Sequence, residues 1–206
     1  GSGTTVPAQS ITAGNPVNFY AISRDSGGHY ITNVAASWSL VNINGGVMSG
    51  DFVASEDGRS ATFTGHLVGS AIVQASSGFT SQSGVQTVIG GAPANLVMTQ
   101  QPSANAQVGA PFAQQPVVTE TDAFGNPSNI PITATETGGL GNVNRNPAGV
   151  LLTPVNGVAT FSGLYLTNSG LNSLTFTAGV ASVQSGNISV GIGKAERLVW
   201  TTQPNQ

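Results

Sequence analysis

Leu151-Leu152-Thr153-Pro154-Val155-Asn156-Gly157-Val158-Ala159-Thr160-Phe161-Ser162-Gly163 carries two signals at once. Asn156-Gly157 is the residue pair that a tight two-residue hairpin asks for, since both central positions need positive φ. The apolar runs on either side are long enough for strands and too short for helices. The segment reads as a β-hairpin with strands over Leu151–Val155 and Val158–Phe161. Its second half also recurs: Ala159-Thr160-Phe161-Ser162-Gly163 matches Ala61-Thr62-Phe63-Thr64-Gly65 at an offset of 98. A strand signature met twice points to a repeated β module.

Working outward, further matches keep the same order. Leu96-Val97-Met98-Thr99-Gln100-Gln101-Pro102 returns as Leu198-Val199-Trp200-Thr201-Thr202-Gln203-Pro204, an offset of 102. Ala13-Gly14-Asn15-Pro16-Val17 resembles Val108-Gly109-Ala110-Pro111-Phe112, and Arg24-Asp25-Ser26-Gly27-Gly28 falls where the second copy has Thr121-Asp122-Ala123-Phe124-Gly125-Asn126. The repeat is about a hundred residues long. The expected organisation is a domain over 1–92, a second over 93–193, and the first strand or linker of a third repeat over 194–206. The short Gly/Pro boundary at Gly90-Gly91-Ala92-Pro93-Ala94 predicts stiff coupling and an end-to-end arrangement.

Gly 28 and Pro 11 leave almost no window for a capped helix. Between them lie short alternating runs, such as Val17-Asn18-Phe19-Tyr20-Ala21-Ile22-Ser23, which predicts one strand with Val17, Phe19 and Ala21 on its inner face. Asp57-Gly58 and Asp122 read as turn residues whose carboxylates bond their own backbone. About seven such strands per hundred residues is the pattern of an immunoglobulin-like β-sandwich, so the expected fold is all-β with two tandem sandwiches. The first core is expected around Trp38, with Phe63, Val73 and Ile22. The second is expected around Phe161, Phe176, Leu174 and Val118.

The order Asn95–Pro102, then Pro116–Asn126, then Asn156–Leu164 resembles the bacterial Ig-like (Big-type) repeats that occur in tandem in very large secreted or surface-attached proteins. The first module, with Trp38-Ser39-Leu40 and Ala61–Gly65, looks like a diverged relative. The resemblance implies a structural or adhesive segment of an extracellular or cell-surface protein. Its implied partners are neighbouring repeats of the same chain, with cell-surface glycans or self-association as further partners.

Composition removes other classes. The 206 residues carry Lys+Arg 5 and Asp+Glu 8, a formal net charge of -3. Five cations cannot build the basic stripe that displaces counterions from nucleic acid. Charged residues are 6%, against roughly 25% in an average domain, which argues against coiled coils and polybasic membrane-binding segments. Mean hydropathy is +0.10, yet no run approaches the roughly 20 apolar residues of a membrane-spanning helix. Cys 0 excludes disulfides, thiolate metal sites and a cysteine nucleophile.

Candidate chemistry is sparse, and neither catalysis nor a cofactor is expected. His29 and His66 read as surface or edge histidines rather than bases. No metal is expected; the nearest approaches to a carboxylate cluster are Glu56-Asp57 with Asp51, and Glu120 with Asp122, the latter two being the calcium candidates. Lys194, the sole lysine, falls in a boundary segment, unsuited to an isopeptide crosslink inside either complete domain. A Thr-to-Gln ester stays open. For glycan stacking, the alternative function, the candidate ligand-binding rings are Tyr30, Tyr165 and Trp200, with Tyr20 out of phase with Phe19 and facing solvent.

Overall fold

The structure is a computed structural model that describes residues 5–137, 143–145, 150–193, 195 and 197–199. The chain is all-β, and its contacts divide it into two units: one of residues up to Ala94 together with Thr121–Ser128, the other of Asn95–Glu120 with Asn129 onward. Among the described residues the one helical element is a single 3-10 turn at Ser49–Asp51.

Unit 1 contains β1 (Gln9–Thr12), β2 (Val17–Tyr20), β3 (Ile22–Arg24), β4 (Tyr30–Asn33), β5 (Ser37–Gly45), β6 (Phe52–Ala54), β7 (Ser60–Phe63), β8 (Gly69–Ser77) and β9 (Phe79–Ile89). One sheet has the order β1-β9-β8-β5; β2-β7-β6 and the β3-β4 pair make the others. Unit 2 contains β10 (Asn95–Gln100), β11 (Asn105–Gln107), β12 (Val117–Thr121), β13 (Ile132–Thr137), β14 (Val143–Arg145), β15 (Leu151–Leu152), β16 (Val158–Thr160), β17 (Leu164–Leu166), β18 (Gly170–Ala178), β19 (Ala181–Gln184) and β20 (Ile188–Gly191). Its sheets are β11-β20-β18-β13-β15 with β19 beside β18, β10-β12-β16, and β14-β17. Both units are thus Ig-like sandwiches.

The two frames agree residue by residue. Phe19 faces Ala61 across β2-β7, and Val118 faces Ala159 across β12-β16. All four side chains are buried. Gly14 and Gly109 take the same turn, with φ of 82° and 75°, and each donates its N–H to a carbonyl distant in sequence, that of Gly65 and that of Leu166. A Ser-Gly bulge recurs too. Ser83 Oγ accepts from the Val73 N–H and donates to the Gly84 carbonyl, while Ser185 Oγ accepts from Leu174 and donates to Gly186. The triplets Gln82-Ser83-Gly84 and Gln184-Ser185-Gly186 stand at the same 102-residue offset as Leu96 and Leu198, so this signal was available in the sequence.

Burial separates the two cores. Phe161, Phe176, Leu174 and Val118 are fully buried in unit 2, and the Phe161 and Phe176 rings lie 5.0 Å apart. Each such side chain contributes about 1.5–3 kcal/mol by leaving water. In unit 1 the expectation needs correction: the centre is Phe19 and Phe63 with Val73, while Trp38 is only half-buried and Ile22 stands outside the cluster. The Trp38 ring keeps to the flank because its Nε1–H donates to the Gly58 carbonyl at 2.7 Å and its edge meets Phe52. The run Val17–Ser23 is likewise two strands: β2 ends at Tyr20, and β3 turns away to pair with β4. At Asn156-Gly157 the tight turn forms, with φ of 51° and 74°, but it closes only the Val155–Val158 bridge. Beyond it the flanks part, β15 to β13 and β16 to β12. Pro154 has no N–H to extend the ladder.

Candidate functional site

Two aspartates build the same turn. Asp25 Oδ1 accepts from the N–H groups of Gly27 and His29, both at 2.9 Å. Asp122 Oδ1 accepts from those of Phe124 and Asn126, again at 2.9 Å. The fifth residue returns a side chain to the second oxygen in each case, His29 Nδ1 to Asp25 and Asn126 Nδ2 to Asp122. Gly28 and Gly125 sit fourth with φ of 80° and 86°, a conformation that suits glycine.

Their surroundings differ. Asp25 lies at the surface, and its pKa is lowered chiefly by the His29 backbone and side chain. Asp122 is 2% exposed. Burial works to raise its pKa, but donors from the Asn126 side chain and the N–H groups of Gly91, Asn126 and Phe124 outweigh it, and the carboxyl stays below the ordinary aspartate value. Asn126 further accepts from the Val68 N–H and donates to the His66 carbonyl, within unit 1. The Asx reading of Asp57 has its bonds as well: Oδ1 accepts from the Arg59 N–H and the Ser55 hydroxyl.

Of the calcium candidates, Asp122 belongs to unit 1 and Glu120 to unit 2. All four of the Asp122 bonds come from N–H donors, so its oxygens are already committed. Glu120 is fully buried; Oε1 accepts from the Ile130 N–H at 3.3 Å and Oε2 has no partner. Among the described residues no group of three or more His, Cys, Asp or Glu is placed to hold a metal ion. His66 is held by buried Asp51 at 3.0 Å and stands edge-on to Phe124 at 5.0 Å.

Of the aromatic candidates, Tyr30 belongs to unit 1 and Tyr165 to unit 2. Tyr30 is exposed on β4, with its hydroxyl donating to Asn33. Tyr165 is half-buried on β17 of unit 2. Trp200 lies outside the described residues, as do Lys194 and most of the expected third-repeat strand. Sequence reasoning missed a cavity of about 540 Å³ in unit 1, floored by core residues Phe19 and Val73 and walled by Tyr20, Arg24, Trp38 and Phe79. It opens where β2 ends and the chain leaves for β3 and β4. The one hint in the sequence was Tyr20, whose place outside the alternating apolar face left a ring without a core to fill.

No protein-family model and no curated protein matches the sequence. Similar solved structures include the adhesin InvE of Yersinia pseudotuberculosis, at 16% identity and a TM-score of 0.41 over 88% of this chain and 56% of that one. The chain therefore spans little more than half of the InvE structure. The D00-D0 domain of intimin follows at 10% identity and 0.39, over 93% and 98%. Domains 4 and 5 of the S-layer protein SbsC stand at 19% and 0.34, over 82% and 78%. At these values the likenesses carry no functional argument.

Proposed function

We propose that this chain is a non-catalytic structural or adhesive segment of a large extracellular bacterial protein, whose Ig-like modules space or display what the parent carries. The observation that supports this reading is repetition of the frame without repetition of chemistry. The Gly turn, the β2-β7 register and the Ser-Gly bulge recur in unit 2. At the 98-residue offset, however, Asp51, Glu56 and His66 meet Gly149, Pro154 and Leu164. Shape is what the two modules have in common, and a spacer needs shape. No described helix is long and apolar enough to cross a membrane.

Single-molecule extension tests the reading. Two separate unfolding events are expected, each releasing roughly 300 Å of chain at about 3.3–3.6 Å per residue. One merged event, or extension without resistance, overturns it. A glycan array run beside it separates a spacer, which binds nothing, from a module that stacks sugars.

A further inference from the structure

The cavity of unit 1 has a floor of sandwich interior and a single cation on its wall. Phe19 and Val73 are core residues, and Trp38 is half-buried beside them. Four of the polar side chains that line it bond the protein: Ser23 donates to the Thr32 carbonyl, Thr80 bonds Ser76, Gln82 donates to Gln74, and Ser83 bonds Gly84.

Arg24 is different. Its Nη1 donates to the Gly28 carbonyl, so the Asp25 turn anchors one edge of the guanidinium. Its Nη2 is buried without a partner. The neighbouring Asp25 carboxylate is committed to His29 and Gly27, and among the described residues no ion pair reaches Arg24. An unsatisfied buried donor is costly, the more so when charged, and a carboxylate is the group that a guanidinium fork fits best.

We propose that unit 1 binds a small amphipathic carboxylic acid, with its apolar body between the sheets against Phe19, Val73 and Trp38 and its carboxylate on Arg24. Binding includes a turn of the guanidinium that brings the orphaned edge onto the ligand. At about 540 Å³ the space is within the usual range of roughly 300–1,000 Å³ for small-molecule sites. This inference stands apart from the spacer reading, and either can fail alone.

Titration of the full chain with decanoate, read by Trp38 fluorescence in a Trp200→Phe background, tests it. Saturable binding is expected, with decanol binding at least tenfold more weakly because it lacks the charge. Glucuronate, which has the charge without the apolar body, leaves the emission unchanged. Arg24→Gln weakens decanoate at least tenfold, and Ala75→Phe, which fills the cavity from its apolar wall, abolishes binding while the melting temperature reports that each variant is folded. No saturable response to decanoate, equal affinity for decanol, equal affinity in Arg24→Gln, or binding of glucuronate overturns the proposal.

Discussion

Asp25-Ser26-Gly27-Gly28-His29 and Asp122-Ala123-Phe124-Gly125-Asn126 fold into one hydrogen-bond pattern, yet Asp25 and His29 are solvated while Asp122 and Asn126 are buried. The difference comes from the residues between the fixed positions. Ser26 and Gly27 offer nothing to bury. Phe124 supplies a ring that lies under Gly14, where an added Cβ would come within 2.7 Å, and packs edge-on against His66. Asn126, compact and able both to donate and to accept, replaces a histidine that stays in water. A local code sets the turn, and the residues around its fixed positions decide whether its aspartate leaves water.

The largest break in this comparison is Asp122→Ala, which strands four N–H donors, two of them on buried Asn126, and is expected to destabilise unit 1 by about 3 kcal/mol in denaturant titration. Gly14→Ala follows at about 2 kcal/mol, because it adds a Cβ against Phe124 at positive φ; a Phe124→Ala background removes the clash but leaves the φ strain. Asn126→Ala is expected to cost a similar or slightly smaller amount, about 1–2 kcal/mol, through its contacts to Val68, His66 and Asp122.

Acidity sharpens the contrast. The folded pKa of Asp122 is lowered, so its stabilisation is fully present above the ordinary aspartate value of about 3.9 and is lost as pH falls through the folded value. The stability gap between wild type and Asp122→Asn is expected to be constant near neutrality and to narrow below that pH, as followed by thermal melts across the acid range. Asp25→Ala is the smallest change: its melt is expected to shift least of the set, since water takes over the carboxylate's bonds at an exposed turn.

The parts of the fold written in local signals were legible. Asn156-Gly157 specifies its turn by backbone sterics alone, and the alternation around Phe161 and Phe176 marks a core without reference to anything distant. The bent course of Val17–Ser23 was not, because Ala21 reads as a strand residue and only the pairing of β3 with β4 draws the chain away. Trp38 misled for a related reason: a large ring is normally core, but a single acceptor at Gly58 holds it at the flank. Asp122 showed its turn role in sequence and hid its burial, which depends on Gly91, thirty-one positions earlier. Arg24 gave no sign of its cavity, since the missing partner of a guanidinium is a property of three-dimensional neighbours.

In each unit an early strand runs parallel to the last one, β1 beside β9 and β11 beside β20. Tension applied through the ends of such a unit slides the two strands past each other, so the bonds joining them are strained together and must rupture as a group. An antiparallel terminal pair would peel open one bond at a time at much lower force. The clamp needs no crosslink, which suits a chain without cysteine.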